Sequence, residues 1–166
     1  MFVLGIDPGL SRCGYAAVHQ AGRAPRLAAI GVLRTSPDDP LPSRLAELQR
    51  ELAELIEECR PDVVSVERVF FQTNVRTAMS VGQASGLALA AAWTAGCHVV
   101  QYTPNQVKVA VAGHGAAGKE EVQRMVQVRL GLAAPPRPAD AADAAALALC
   151  HLAHAPLAAA LARVRP

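Results

Sequence analysis

Four acidic side chains stand where an unpaired charge is costly. Asp7 ends the apolar run that begins at Phe2, and Glu67 ends the run that begins at Asp62. Asp140 and Asp143 lie three residues apart among alanines, so on a helix they share one face. Because burying an unpaired charge is expensive, these acids indicate a functional site. The other acids fall on a solvated helix face, in turns or at a helix start, where charge is favourable.

Four carboxylates that converge repel one another. At about 5 Å and an effective dielectric of about 20, each pair costs roughly 3 kcal/mol, and six pairs cost up to roughly 20 kcal/mol. A typical domain is stable by only about 5–15 kcal/mol, so a converged cluster needs protons or cations. Hard oxygen ligands suit Mg²⁺ or Mn²⁺, and two such ions can activate a water and stabilise the leaving oxygen of a phosphodiester.

A second explanation of the same acids requires no site. Asp140 can be the N-cap of a helix with Asp143 as its N3 partner, and Asp7 can form a turn before Pro8. The pattern alone does not decide between the two explanations.

Length and composition indicate one globular domain, residues 1–166. The chain is 52% hydrophobic and 18% charged, which is too apolar for a disordered segment. Its net charge of +2 is too small to indicate a nucleic-acid binder by composition. Only Lys108 and Lys119 are lysines among the 16 basic residues.

The cysteines and the apolar stretches favour a soluble cytoplasmic protein. The four cysteines form no C-x-x-C pair, so we expect buried thiols rather than a zinc site or a disulfide framework. The first residues lack a positively charged leader, and no apolar stretch is convincing as a membrane span.

The elements that must position the acids follow from hydrophobic periodicity and turn residues. A mixed five-stranded α/β sheet is expected, in the order βββαβαβ followed by helices, with helices on both faces. The expected strands are Phe2–Asp7, Gly14–His19, Leu27–Thr35, Asp62–Glu67 and His98–Tyr102. The expected helices are Ser43–Cys59 with Ser43 as its cap, Asn74–Gly96, Thr103–Val111, Lys119–Leu130, and one from Ala139 that ends near His154 before Pro156 and resumes toward Val164.

Five sequence blocks, taken together, resemble one known family over nearly the whole chain. They are Gly5-Ile6-Asp7-Pro8-Gly9 with Gly14-Tyr15, then Val66-Glu67-Arg68-Val69-Phe70, then Gly82-Gln83-Ala84-Ser85-Gly86, then Gln106-Val107-Lys108 through Gly113-His114-Gly115 to Lys119, and Ala139-Asp140-Ala141-Ala142-Asp143-Ala144. In this order and spacing they resemble the RuvC-type Holliday junction resolvases. Each block alone is weak.

The resemblance implies a ribonuclease H-like fold and a homodimer that makes two symmetric nicks in a four-way DNA junction during recombination and repair. It also implies two Mg²⁺ ions per active site, with Mn²⁺ as a possible substitute, and a partnership with the RuvA–RuvB branch-migration complex. The long helix that contains Gly82 and Gly86 is a candidate dimer contact, because small residues permit close approach. Packing of this helix on its own sheet is the alternative.

The resemblance also implies roles for individual residues. The metal-binding and catalytic acids would be Asp7, Glu67, Asp140 and Asp143. Lys108 and Lys119 would contact DNA near the scissile phosphate, with Lys119 also catalytic. Phe70 would stack on an unpaired base, with Phe71 and Arg76 as further DNA contacts.

Two other functions compete with nuclease activity. One is a non-catalytic junction-binding protein with a decayed site. The other is a module related to actin-like ATPases, suggested by Asp7-Pro8-Gly9, although such proteins generally need two domains of this kind.

Overall fold

The computed structural model describes residues 1–22, 24–69 and 75–164, without the side chains of residues 75–77 and 156–164. Strands and helices follow in the predicted order through this part of the chain. The strands are β1 (Phe2–Asp7), β2 (Arg12–His19), β3 (Arg26–Arg34), β4 (Val63–Glu67) and β5 (His98–Tyr102). The helices are α1 (Leu41–Cys59), α2 (Val75–Thr94), α3 (Pro104–Ala112), α4 (Lys119–Leu130) and α5 (Ala139–Val164).

The strands form one mixed sheet in the spatial order β3-β2-β1-β4-β5. β1, β2 and β3 pair antiparallel, whereas β4 pairs parallel with both β1 and β5. This arrangement follows from the connections: tight turns join antiparallel strands, and helical crossovers join parallel ones. The predicted mixed five-stranded sheet is confirmed.

Helices cover both faces of the sheet, as predicted. One layer contains α3, α4 and α5 and packs on alternate strand residues such as Val3 and Val18. The other contains α1 and α2 and packs on the intervening residues such as Leu4 and Ile6. This alternation is the period of two of a β-strand, and it assigns every strand side chain to one of the layers.

Several predicted boundaries shift by a few residues. Ser43 lies inside α1 rather than at its cap, so that prediction was wrong. The helix begins two residues earlier, because Pro42 fits the first turn, where its missing N–H costs nothing. β2 begins two residues earlier than predicted, at Arg12. α2 ends at Thr94 instead of Gly96, whose φ of +77° is not helical.

The sequence predicted that helix α5 stops before Pro156, and this prediction was wrong. The helix runs unbroken from Ala139 to Val164. Proline removes one helical hydrogen bond, and alanine, the strongest helix former, is abundant on both sides of it in the sequence.

The four cysteines differ in burial. Cys13 and Cys150 are buried, as predicted, whereas Cys59 and Cys97 are half-buried, and all four are free thiols. Within the part of the chain that the structure describes, no helix is long and apolar enough to cross a membrane.

Two glycines allow α5 to lie directly on the sheet. A Cβ added at Gly5 in β1 would overlap the carbonyl oxygen of Ala144 in α5. A Cβ added at Gly14 in β2 would overlap the carbonyl oxygen of Asp140. The backbone of α5 therefore touches the backbone of two strands, an approach that a side chain at either glycine would prevent.

We expect Gly5→Ala to push α5 away from β1, because the new methyl group meets backbone that cannot rotate aside. The expected loss of stability lies at the upper end of the usual overpacking range of about 1–3 kcal/mol. Urea unfolding measures this loss. Gly22→Ala is the matched control, since a Cβ at Gly22 meets nothing within 4 Å. Equal stability of the two variants would contradict the close approach of α5 to β1.

Candidate active site

Asp7 and Glu67 lie side by side at one end of the sheet. The parallel register pairs Ile6 with Val66, and the next residue of each strand is one of these acids. Both point toward the layer that contains α5. Gly5 contacts α5, Ser65 donates a hydrogen bond to the Leu147 carbonyl at 3.1 Å, and side chains two residues apart on a strand share a face.

Asp140 and Asp143 lie on α5, which packs on the face of the sheet to which Asp7 and Glu67 point. Asp140 lies in the first turn of the helix, which begins at Ala139, so its predicted alternative role as an N-cap was wrong. Asp7 is not a turn former either, since it pairs with Gly14 as the last residue of β1. The structure therefore brings together the four acids that the sequence singled out.

The electrostatics of Asp7 show how strongly the acids interact. The pKa of Asp7 is raised to about 7. Burial is the largest cause, and the charges of Glu67, Asp143 and Asp140 raise the pKa further, whereas the charge of Lys119 lowers it. At neutral pH this carboxyl group therefore retains a proton in part of the molecules when no cation is bound.

The neighbours of Asp7 are shifted by the same field. Burial, and to a smaller extent the charge of Asp143, raise the pKa of Glu67. A hydrogen bond with Asp7 and the charge of Lys119 lower the pKa but do not cancel this effect. The hydrogen bond with Asp143 raises the pKa of Lys119, helped by the charges of the acids and opposed by burial. The cluster thus favours both bound protons and positive charge.

Two basic side chains already neutralise part of this charge. Arg12 Nη2 lies 2.6 Å from Asp140 Oδ2, and Lys119 Nζ lies 2.8 Å from Asp143 Oδ2. Lys119 is therefore placed at the acid cluster, where the family resemblance implies a basic residue. Arg12 is a residue that sequence reasoning missed.

A cleft of about 240 Å³ opens beside the acids. It is lined by Asp7, Glu67, Asp143, Lys108 and Lys119 together with Pro104, Val107, Val122, Ala146 and Leu147. Both lysines of the chain thus lie beside the carboxylates, one from α3 and one from α4. An apolar floor with charged walls strengthens electrostatic interactions within the cleft.

The donor set suits a divalent cation. Among the described residues, no three His, Cys, Asp or Glu side chains form a ready-made metal cage. Besides its burial, the charges of Glu67, Asp143 and Asp140 raise the pKa of Asp7, and the charge of Lys119 opposes them less strongly, so a net negative field acts on this carboxyl group. Carboxylate oxygens are the ligands that Mg²⁺ and Mn²⁺ prefer.

Comparison with known proteins identifies the family. The model of the crossover junction endodeoxyribonuclease RuvC family matches residues 3–151. This chain belongs to the RuvC family. The RuvC protein of Salinispora arenicola is 56% identical over 153 residues, which cover 92% of this chain and 87% of that protein. The resemblance stated from the motifs is confirmed, and this family depends on divalent metal ions.

Solved structures of Holliday junction resolvases share the fold. Thermus thermophilus RuvC in complex with a Holliday junction substrate matches with a TM-score of 0.90 and 43% identity, over 95% of this chain and 96% of that chain. The yeast mitochondrial Holliday junction resolvase Ydc2 matches with a TM-score of 0.68 at 17% identity, over 91% of this chain and 78% of that chain, which shows the fold alone. The expected fold class is confirmed.

Three predicted DNA contacts of this RuvC chain cannot be placed. Phe70 and Phe71 lie outside the described residues. Arg76 lies in the first turn of α2, and its side chain is also outside the described part of the chain. These residues remain predictions from the resemblance.

The histidines of the helical layer lie in other contacts. His114 Nε2 and Glu121 Oε1 are 2.9 Å apart on the exposed surface. Tyr102 of β5 has its hydroxyl 3.0 Å from His151 Nδ1 and its ring stacked on His154. These aromatic contacts join α5 to the edge of the sheet.

Metal-free protein should lose stability as the pH rises. The folded-state pKa of Asp7 is about 7, whereas its ordinary value is 3.8. Protonation of Asp7 therefore contributes its full stabilisation of the folded state below about pH 4, and this stabilisation is lost as the pH rises to about 7. We expect a loss on the order of a few kcal/mol in EDTA over this range, measured by urea unfolding.

The matched comparison for this pH profile is Asp7→Asn, which removes the titrating group. Its profile should be flatter than that of the natural chain between pH 4 and 7. If the two profiles superimpose, the pKa of Asp7 is not raised in the folded protein.

Proposed function

We propose that this chain is a structure-selective endonuclease that resolves Holliday junctions in DNA recombination and repair. Membership of the RuvC family supports this function. The observation that carries the proposal is the juxtaposition of Asp7, Glu67, Asp143 and two lysines at one cleft, with the charge of Asp140 acting on the same cluster. The reaction is hydrolysis of a phosphodiester, which leaves a 5′-phosphate and a 3′-hydroxyl that a ligase can rejoin.

Asp7, Glu67, Asp140 and Asp143 would hold two Mg²⁺ ions per active site, with Mn²⁺ as a possible substitute. Bound divalent ions supply a reactive water and stabilise charge on the leaving oxygen. The carboxylates contribute the negative field that makes cation binding favourable, and their strand and helix positions orient them. Water is the nucleophile, and no side chain of the site forms a covalent bond with DNA.

Lys108 and Lys119 would orient the scissile strand. Both line the cleft, from α3 and α4 respectively. A compact ammonium binds phosphate oxygens as a point charge and can follow the phosphate during the reaction. Lys119 also pairs with Asp143, so it couples the position of the phosphate to that of a metal-binding acid.

Helix α2 supports a homodimer. It packs on its own sheet through Ala84, Ala88 and Ala92. A Cβ added at Gly82 or Gly86 meets nothing within 4 Å, so these glycines do not pack on their own sheet. Their open face is available to a partner.

Large apolar residues border this open face. Met79 is 59% exposed and Trp93 is 76% exposed. Met79, Gly86 and Trp93 recur every seven residues, which places them along one stripe of the helix. Two copies of α2 can cross closely at the glycines while each covers the exposed methionine and tryptophan of the other. A dimer also matches the two-fold symmetry of paired nicks in a four-way junction.

The remaining expectations accompany this function. We place the enzyme in the cytoplasm as a single nuclease domain, where free thiols such as those of its cysteines persist. The RuvA–RuvB branch-migration complex is its proposed partner. No observation favours the ATPase-related alternative, and the presence of all four acids disfavours a non-catalytic junction binder.

The function is tested first with Asp7→Asn. Loss of a metal-binding carboxylate should lower junction cleavage in Mg²⁺ more than about 100-fold, because even outer-shell changes at metal sites cost about 10–100-fold. Junction binding measured in EDTA should be retained, since the substitution removes negative charge. Asp39→Asn, an exposed loop acid, is the matched control and should cleave normally. Full cleavage by Asp7→Asn would refute the assignment.

The dimer is tested with Gly86→Arg. A charged side chain on the open face of α2 should weaken dimerisation by at least about tenfold, because it blocks close approach and cannot be buried unpaired. Analytical ultracentrifugation should show a shift toward the 17.3 kDa monomer. Val128→Arg, at an apolar position of α4 that is 64% exposed, is the control. A natural chain that is monomeric, or an unshifted variant, would contradict this interface.

A further inference from the structure

Three arginines gather beside the acid cluster, at the ends of β2 and β3. The antiparallel register places Arg12 directly opposite Arg34. Arg44 of α1 donates from Nη2 to Ser11 Oγ at 2.5 Å and from Nε to Thr35 Oγ1 at 3.0 Å. Ser11 and Thr35 are the chain neighbours of Arg12 and Arg34, so Arg44 lies at the same end of these strands but on the side of α1. The three arginines are termed here the arginine edge.

The positive charge of the arginine edge is poorly balanced. Arg12 pairs with Asp140, an acid of the proposed metal site. Among the described residues, Arg34 and Arg44 form no ion pair with a carboxylate. The hydroxyl partners of Arg44 hold its guanidinium group without cancelling its charge.

This charge is unfavourable for the fold. Like charges directly opposite each other in an antiparallel pair destabilise a sheet, and Arg12 and Arg34 are such a pair. Cross-strand neighbours share a face, so Arg34 lies on the same face as Arg12, which reaches Asp140. Arg12 and Arg34 are exposed and Arg44 is half-buried, and exposed guanidinium groups held opposite each other indicate an anionic ligand.

The arginine edge completes a row of charges across the sheet. Charged side chains at this end of the sheet alternate in sign: they are basic on β3 and β2, acidic on β1 and β4, and basic again on the helices that line the cleft. The row consists of Arg34, Arg12, Asp7, Glu67, Lys108 and Lys119. The acid cluster is therefore bordered by cations on both sides.

We propose that the arginine edge binds backbone phosphates of the DNA strand that crosses the acid cluster, on the side opposite to the two lysines. The inference rests on the proposed nuclease function. β3 lies two strand spacings, about 10 Å, from β1, a span covered by a few nucleotides. Guanidinium groups present parallel N–H donors that match phosphate oxygens. Arg12 also binds a phosphate once divalent cations bind Asp140 and release Arg12 from its ion pair with that residue.

Phosphate contacts are measured by the salt dependence of binding. Removing one phosphate contact to duplex DNA lowers the slope of log affinity against log salt by about 0.9. Because the proposed homodimer presents two arginine edges to one junction, we expect Arg34→Gln to lower this slope by about 1.8 for a four-way junction in EDTA, and Arg34→Gln with Arg44→Gln to lower it by about twice as much. Arg34→Lys should keep most of the natural slope.

Two controls separate DNA binding from folding. The melting temperature of Arg34→Gln should equal or exceed that of the natural chain, because a like-charge pair is removed. Arg50→Gln removes an exposed arginine that pairs with Glu54 on α1, and it should leave the slope unchanged.

The outcomes distinguish the two proposals. A slope for Arg34→Gln equal to those of Arg50→Gln and the natural chain would overturn the arginine edge, and so would a lower melting temperature with no change in slope. Failure of the natural chain to bind or cleave a junction would instead refute the nuclease function. A reduced slope with unaltered melting temperature supports the arginine edge.

Discussion

The contact between α5 and the sheet determines how the rest of this molecule is arranged. Because Gly5 and Gly14 lack side chains, the backbone of α5 rests on β1 and β2. That contact brings Asp140 and Asp143 to the end of β1, where Asp7 lies. The same closeness that forms the site also forces like charges together, so an alanine-rich helix and two strand glycines are physical requirements of the acid cluster.

Charge compensation follows from this constraint. In metal-free protein the acids are balanced by partial protonation of Asp7, by Arg12 and by Lys119. The two ion pairs are partly exposed, and such pairs contribute only about 0.2–1 kcal/mol each. Divalent cations and the phosphates of DNA can therefore replace them at modest cost. The net charge of +2 averages over this alternation of acidic and basic groups and conceals it.

The two faces of the sheet carry different tasks. The layer of α3, α4 and α5 covers the face to which the acids and both lysines belong. The layer of α1 and α2 covers the other face and exposes the stripe of α2 that contains Met79 and Trp93. Strand alternation separates these tasks, because neighbouring residues of one strand point to opposite layers. The proposed dimer contact on α2 thus lies on the face opposite to the acids.

The sequence by itself determined the element order and the four acids, because periodicity and charges beside apolar runs are local properties. Its resemblance to the RuvC family placed the two lysines near the scissile phosphate. The sequence misplaced the cap of α1 at Ser43, since the helix begins two residues earlier with Pro42 in its first turn. It also misplaced the end of α5 at Pro156, where helix-forming neighbours outweighed one residue. Only the tertiary structure decided that the acids converge, that Arg12 pairs with one of them, and that Arg34 lies opposite Arg12. These facts depend on strand register and on helix approach, which join residues far apart in the chain and have no local signature.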